Sequence, residues 1–203
     1  YIVRIFDAAG HVARHEGAGE PRRALPAAFW IYALAAALIG FGFADYPLIA
    51  FHFARSGIVS AEWIPIFYAL AMGASGLGSL VFGRWFDARG LIVLAPAILI
   101  GAAIAPLAFL GGFWAALSGA LFWGLSLGVH DTVMNAAIAG FVPDNQRAHA
   151  FGLFSAIYGI AWFAGSALLG LLYDRSLIAL AAVATIAELA ALIPLAFALK
   201  AKR

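Results

Sequence analysis

Three carboxylic acids, Asp45, Asp131 and Glu188, lie inside long apolar stretches of the sequence. A charged side chain is costly in the hydrocarbon core of a membrane, so an acid in such a stretch indicates a functional site. In that setting a carboxyl group binds a polar part of a substrate or a proton. We therefore take these three acids as candidates for substrate or proton binding.

Asp131 has the most informative surroundings of the three. Gly124 and Gly128 precede it by seven and three residues, and Asn135 follows it by four. This spacing predicts one small and polar helix face, which lines a cavity or contacts another helix. Asn135 beside Asp131 is a further candidate for substrate or proton binding, and a structural hydrogen-bonded pair is the alternative. His130 is expected to point about 100° away from Asp131 and to be a packing or loosely polar residue, not its partner.

Asp45 and Glu188 have less specific surroundings. Asp45 stands two residues before Pro47, which is expected to disturb or end the helix. It is either solvated near a membrane boundary or part of a binding site. Glu188 has no cation near it in the sequence, so it is expected to face protein, in a coupling or a structural role. Three aromatic residues inside the spans fit core packing better than a cavity wall: Trp123, Tyr158 and Trp162.

An enzymatic alternative rests on Ser126, which lies in a Gly-x-Ser-x-Gly pattern at residues 124–128. Six-helix intramembrane serine proteases carry their Ser on the fourth span and a base, His, on the sixth. The sixth span has no His, and His130 is on the same helix as Ser126, so this reading is disfavoured. The sequence also has no cysteine, no phosphate-binding Gly-Lys loop and only scattered His, so no metal, cofactor or nucleic-acid site is expected.

Composition identifies the elements that must position these residues. The chain has 203 residues, of which 65% are apolar and 11% charged, whereas soluble domains are about 45–50% apolar and about 25% charged. This indicates an integral membrane protein. About 20 apolar residues are needed for each crossing. We expect six membrane-spanning helices, at residues 27–52, 62–83, 91–110, 113–141, 149–172 and 177–199.

Lys and Arg are concentrated in alternate loops. Ten of the 12 would face one side if the N-terminal segment is cytoplasmic, and only Arg55 and Arg175 would face the other. This distribution predicts a cytoplasmic membrane protein with both termini in the cytoplasm. The expected organisation is a cytosolic linker or disordered tail at residues 1–25, a helix bundle at 26–200 and a cytosolic tail at 201–203.

Two segments of the chain resemble each other. Residues 78–87 and 165–174 share the pattern Gly-Ser, three residues, Gly, two residues, an aromatic residue and Asp. Residues 42–45 and 128–131 both begin with Gly and end with Asp. Chance among many glycines is the alternative to a true repeat. Three-helix units that repeat after three crossings have opposite orientations, which is the inverted repeat of secondary transporters.

Residues 83–90, between the second and third spans, follow the pattern Gly-x-x-x-Asp-x-x-Gly with basic residues. This segment resembles the loop motif of the major facilitator superfamily, and residues 142–174 resemble the penultimate helix of that family. The chain is thus similar to the C-terminal six-helix half of a twelve-helix transporter, over most of its length. One departure is that apolar residues 91–93, and not further basic ones, follow the motif.

The resemblance implies an all-α membrane fold in which six helices form a 3+3 inverted repeat. It implies secondary active or facilitative transport of a small solute, with a proton as the simplest coupling ion. The expected partners are the lipid bilayer and either an N-terminal six-helix half or a second copy of the chain. The alternatives are a six-helix scaffold or dimerising subunit and the serine protease.

Two further groups of residues complete these expectations. By the resemblance, a conformational switch loop latches the two halves together; capping of the next helix is the alternative role for its acid. The loop consists of Gly83, Asp87, Arg89 and Gly90. Glycines in the second and fifth spans predict close helix packing. They are Gly73, Gly76, Gly152, Gly159, Gly165 and Gly170.

Overall fold

The computed structural model describes residues 24–201, and the regular structure of this part of the chain is entirely helical. Most of the predicted linker at residues 1–25 and the end of the predicted C-terminal tail lie outside the described residues. The α-helices are α1 (Ala27–Gly42), α2 (Tyr46–Ser56), α3 (Trp63–Arg89), α4 (Leu94–Leu110), α5 (Phe113–Val129), α6 (Asn135–Ala139), α7 (Arg147–Tyr173), α8 (Leu177–Ala190) and α9 (Leu192–Ala201). They are joined in part by the 3-10 turns Gly90–Val93 and Asp144–Gln146 and by the π-helix His130–Met134.

Five helical stretches in the described part of the chain are long and apolar enough to cross a membrane. The prediction of an all-helical protein is confirmed. The number of separate stretches differs from six, because α3 and α4 are joined by a 3-10 turn without an intervening loop. The stretches are Ala27–Ser56, Trp63–Leu110, Phe113–Ala139, Asp144–Tyr173 and Leu177–Ala201.

The chain turns back between α3 and α4, at Gly90. The φ angle of Gly90 is 66°, in the left-handed region that favours glycine. At the start of α3, the ring of Trp63 lies 5.7 Å from the ring of Phe113, the first residue of α5. Near the end of α4, Ala108 packs on the same part of α5, since a Cβ added at Gly119 would lie 2.9 Å from the Ala108 nitrogen. The start of α3 and the end of α4 therefore lie at the same end of the bundle.

The first apolar stretch is broken between α1 and α2. Asp45 and the two residues before it are not helical, and Asp45 has the extended angles φ −69° and ψ 141°. Pro47 explains the break, because its ring clashes with the carbonyl four residues earlier and it lacks an N–H. The predicted disturbance of the helix at this proline is confirmed.

The π-helix His130–Met134 changes the face that Asp131 presents. Gly124 and Gly128 are buried against α3, and a Cβ added at Gly124 would clash with the Ala71 carbonyl. Asp131 and Asn135 are instead exposed. The prediction that these four residues share one face is wrong, because a π-turn spans five residues per hydrogen bond and shifts the register of the helix.

Most of the glycines predicted to pack have no neighbour inside this bundle. Within residues 24–201, a Cβ added at any of five of them would meet nothing within 4 Å, so the predicted close packing is not made inside this bundle at Gly73, Gly76, Gly152, Gly159 and Gly170. Gly165 is the exception, since it is buried against the backbone of Phe41. The unpacked glycines leave two open backbone surfaces, one on α3 and one on α7.

The segment predicted as a switch loop is mostly helical. Gly83, Asp87 and Arg89 belong to the last turns of α3, and Gly90 ends the helix. Asp87 therefore lies near a helix C-terminus, where the helix dipole disfavours a carboxylate. The alternative in which it caps the start of the next helix is wrong, because no side chain caps that start. The side chains of Asp87 and Arg89 are exposed.

Candidate functional site

A pocket of about 170 Å³ lies between the π-helix and α7. It is found where the two apolar clusters of the bundle meet: Met134 and Phe154 belong to one cluster, and Leu127 and Trp162 pack against the other. The pocket brings several polar side chains together inside an apolar bundle. Its polar lining residues are His130, Asp131, Asn135, Ser155, Tyr158 and Trp162.

Asp131 offers a free carboxylate to this pocket. Its side chain is exposed and makes no hydrogen bond or ion pair with any residue in the range 24–201. Asn135 donates a hydrogen bond of 3.1 Å to the main-chain carbonyl of Asp131, not to the carboxylate. The two predicted residues are thus brought together, but the amide fixes the backbone of the π-helix. The carboxylate stays available to a ligand.

Asp45 lies beside the same pocket, in the break between α1 and α2. Its carboxylate accepts a hydrogen bond of 2.6 Å from the indole nitrogen of Trp162, and its side chain is only partly exposed. Of the two alternatives for Asp45, this donor from α7 favours a built polar site over simple solvation. Trp162 therefore separates Asp45 from the pocket and contacts both.

His130 and Tyr158 form a polar pair in the pocket wall. The Tyr158 hydroxyl lies 3.1 Å from Nδ1 of His130, and the His130 ring packs edge-on against Phe43, with centroids 4.6 Å apart. His130 thus combines packing with a polar contact, as expected, whereas Tyr158 and Trp162 line the cavity against expectation. Trp123 is buried, as predicted, and its indole nitrogen donates a hydrogen bond of 3.0 Å to the Ala44 carbonyl.

Glu188 lies apart from the open pocket, in the core of the bundle. It is 1% exposed, and neither carboxyl oxygen has a hydrogen-bond partner in the described part of the chain. A second, small cavity of about 10 Å³ is lined by both Glu188 and His130. The prediction that Glu188 faces protein is therefore confirmed, and His130 lies between it and the open pocket.

The residues of the enzymatic alternative do not meet as a catalytic pair. Ser126 is 2% exposed, and its hydroxyl has no hydrogen-bond partner. Nδ1 of His130 is directed at Tyr158. Among the described residues, no three side chains from His, Cys, Asp and Glu come together as a metal site.

The spacing of aromatic residues on α7 indicates the pocket wall that the sequence analysis did not predict. Phe154, Tyr158 and Trp162 are spaced four residues apart on α7, which places three aromatic rings on one helix face. Phe154 and Tyr158 stack with their centroids 6.2 Å apart. This aromatic face forms the α7 wall of the pocket.

Comparison with known proteins gives relatives but no family. An uncharacterized protein of Mycobacterium bovis, Mb2288, and one of Mycobacterium tuberculosis, Rv2265, are each 34% identical to the chain over 180 residues. The match covers 89% of this chain and 44% of either relative, so the chain spans less than half the length of these relatives. No family model matches the chain. No solved structure matches it either.

Proposed function

We propose that the chain is one six-helix half of a transporter of the major facilitator type, which moves a small solute across the cytoplasmic membrane by alternating access. The observation that carries the proposal is the pocket at the π-helix, where Asp131 presents an exposed carboxylate that has no partner among residues 24–201. A carboxylate in that position needs water or a ligand, and acids inside membrane helices mark substrate and ion pathways.

Six crossings follow if the joined stretch Trp63–Leu110 crosses the membrane twice. Its 48 residues would measure about 72 Å as one straight helix, more than twice the thickness of the hydrocarbon core, about 30 Å. The turn at Gly90 divides the stretch into α3 and α4. α3 then measures about 40 Å. The 3-10 turn and α4 together measure about 34 Å, so each part is long enough for one crossing.

Packing between the helices supports the inverted repeat. A Cβ added at Gly78 of α3 would lie 3.0 Å from the carbonyl oxygen of Leu125 on α5. Gly165, its counterpart 87 residues later on α7, meets the carbonyl oxygen of Phe41 on α1. The second span thus packs on the fourth, and the fifth packs on the first. A 3+3 repeat requires these two contacts to be equivalent, because the first span corresponds to the fourth and the second to the fifth.

The first and fourth spans are also irregular at matching positions. After Gly42 the first helix is broken, and Asp45 lies in the break. After Gly128 the π-helix follows, and Asp131 lies in it. Binding sites of secondary transporters are formed by such discontinuous helices at the interface between repeats.

A second half explains the uncovered surfaces of α3 and α7. Along the most apolar 18 residues of the stretch Asp144–Tyr173, only 11% of the residues are buried. The open glycines of α3 and α7 allow another helix to approach closely. The relatives are more than twice as long as the region that they share with this chain, which leaves room for a second six-helix half. A second copy of the chain, as a dimeric scaffold, is the competing occupant of these surfaces.

Solute counterflow in proteoliposomes tests the proposed function. The full-length protein is reconstituted with a panel of labelled sugars, amino acids, organic acids and organic cations, and exchange of each solute is measured. We expect exchange of at least one class, and we expect Asp131→Asn to abolish it. Asp174→Asn, at an exposed position outside the pocket, is the matched control. Exchange that is equal in the wild type, in Asp131→Asn and in empty liposomes would refute transport through this pocket.

A further inference from the structure

The side chain of Glu188 packs where Gly42 and Gly101 have no side chain of their own. A Cβ added at Gly101 of α4 would lie 2.9 Å from the carboxyl carbon of Glu188, and one added at Gly42 of α1 would lie 2.9 Å from its Cγ. Both carboxyl oxygens are buried, and neither has a hydrogen-bond partner among residues 24–201. An unpaired carboxyl group in such surroundings costs far less free energy with its proton than without it. Glu188 is thus built into the core as a site that holds a proton.

A route of polar groups leads from this site to the open pocket. The small cavity of about 10 Å³ lies between Glu188 and His130, which is room for about one water molecule. On the other side of His130, Nδ1 lies 3.1 Å from the hydroxyl of Tyr158. Tyr158 in turn lines the open pocket together with Asp131.

We propose that Tyr158 and His130 form a proton path between the open pocket and Glu188. When Glu188 has lost its proton, His130 gives the proton on Nε2 to the Glu188 carboxylate and takes one on Nδ1 from the Tyr158 hydroxyl. Tyr158 is reprotonated from the pocket, whose lining includes the acid Asp131. One proton enters and one reaches Glu188, so both relay groups end neutral. The reverse passage restores the first tautomer of His130.

The chemistry of the small cavity favours a proton over a metal cation. Apart from Glu188 and His130, its lining is apolar: Ile39, Leu94, Ala97, Ile98, Val129 and Met134. A dehydrated metal cation needs several oxygen ligands, whereas a proton needs one base. Metal ligands also do not cluster in threes anywhere among residues 24–201.

The helices around α8 bring few other titratable groups to Glu188. The residues of α4 include none, and α1 has only Tyr32, whose hydroxyl donates to the Met134 carbonyl. From α9 there is only Lys200, in its last turn. From α7, Tyr158 reaches the Nδ1 of His130 with its hydroxyl, at 3.1 Å. His130 and Tyr158 are therefore the groups able to exchange a proton with Glu188.

Infrared spectroscopy of the full-length protein in lipid nanodiscs tests this path. The carbonyl stretch of a protonated carboxylic acid is recorded, and its shift is followed after transfer to D2O. We expect a band that Glu188→Gln removes. The carboxyl proton behind this band should exchange for deuterium about tenfold more slowly, or slower still, in His130→Leu and in Tyr158→Phe than in the wild type. Tyr158→Phe removes a single oxygen, so it remains informative if His130→Leu fails to fold.

A matched control lies at another position in the same bundle. His52 is also buried, and its Nδ1 lies 3.1 Å from the hydroxyl of Tyr173, but neither residue lines a cavity that Glu188 shares. His52→Leu should leave the exchange rate of the band unchanged. Absence of a band that depends on Glu188, or an exchange rate in Tyr158→Phe equal to that of the wild type, would overturn the path.

A role of this path in coupling rests on the proposed transport function, and the two can fail separately. If counterflow detects no solute but the band exchanges as expected, only the transport proposal fails. If a solute is exchanged but the band does not depend on Glu188, only the proton path fails.

Discussion

The indole nitrogen of Trp162 donates a hydrogen bond of 2.6 Å to the carboxylate of Asp45. Asp45 lies in the break between α1 and α2, and Trp162 lies in the middle of α7. A second indole, that of Trp123 on α5, donates to the Ala44 carbonyl in the same break. A helix break inside an apolar bundle leaves polar groups that must find partners. Two tryptophans from neighbouring helices supply them.

Removing the donor at Trp162 should destabilise the bundle. In Trp162→Phe the partly buried Asp45 carboxylate loses its hydrogen bond, which is expected to lower the free energy of unfolding by about 1–3 kcal/mol. Denaturant unfolding in detergent micelles, followed by circular dichroism, measures this change. The control is Trp114→Phe, because Trp114 is 76% exposed. Equal unfolding midpoints for the two variants would show that the bond contributes nothing to stability.

The helices and the break were accessible from the sequence because their causes are local. Long apolar runs predict membrane-length helices, and Pro47 predicts the interruption just before it. Both features are present in the structure. The position of Glu188 in the core also followed from local reasoning, since a lone acid among Ala and Leu has to face protein.

The site itself depends on features that the sequence does not display locally. No residue type between Gly128 and Met134 marks a π-turn, so the faces of Gly124 and Asp131 were wrongly predicted to coincide. The role of His130 depends on Tyr158, which lies 28 positions further along the chain. The glycines of α3 and α7 were expected to lie against other helices, but the sequence does not show that most of them face away from this bundle. Position in the tertiary structure, and not residue type, decided each of these cases.

Asp131→Asn should separate a binding role from a structural role. The carboxylate has no partner among residues 24–201, so its loss should change the free energy of unfolding by no more than about 0.5 kcal/mol. We expect the variant to assemble normally and to lose solute exchange in proteoliposomes. Lost expression, or an unfolding midpoint far below that of the wild type, would instead indicate a structural bond. Solute exchange at the wild-type rate by the folded variant would remove Asp131 from the binding site.

Two glycines on α7 should respond differently to the same substitution. Gly165 lies against the backbone of Phe41, and backbone atoms cannot move aside cheaply. Gly165→Ala is therefore expected to lower the free energy of unfolding by about 1–3 kcal/mol through overpacking. Gly159→Ala adds its methyl group to open space and should stabilise the isolated helix slightly, by about 0.5–1 kcal/mol. Unfolding of the purified 203-residue chain in detergent compares the two.

The open glycines of α7 also provide a test of the proposed second half. In the full-length protein, Gly159→Ala should weaken contact between the two halves if a helix of the other half covers this surface. The measurement is the yield of complex when the two halves are expressed as separate chains and purified through one of them. An unchanged yield with Gly159→Ala and with Gly152→Ala would argue against the open surface of α7 as the contact.

Single-cysteine labelling distinguishes six crossings from five. The chain has no cysteine of its own, so each introduced thiol reports one position. Ser56 lies before the joined stretch Trp63–Leu110, and Gly112 lies after it. If this stretch folds back at Gly90, the two positions lie on the same side of the membrane; one continuous crossing would place them on opposite sides. Both substitutions are mild, because Ser56 is exposed and a Cβ at Gly112 meets nothing within 4 Å.

We expect a membrane-impermeant maleimide, added to intact cells, to label Ser56→Cys and Gly112→Cys. Arg84→Cys should be labelled only after the cells are opened, because the distribution of Lys and Arg places it in the cytoplasm. The turn at Gly90 predicts this result, since the start of α3 and the end of α4 lie at one end of the bundle. Labelling of Ser56→Cys without Gly112→Cys would mean that the joined stretch crosses once. Labelling of Arg84→Cys in intact cells would reverse the orientation of the whole bundle.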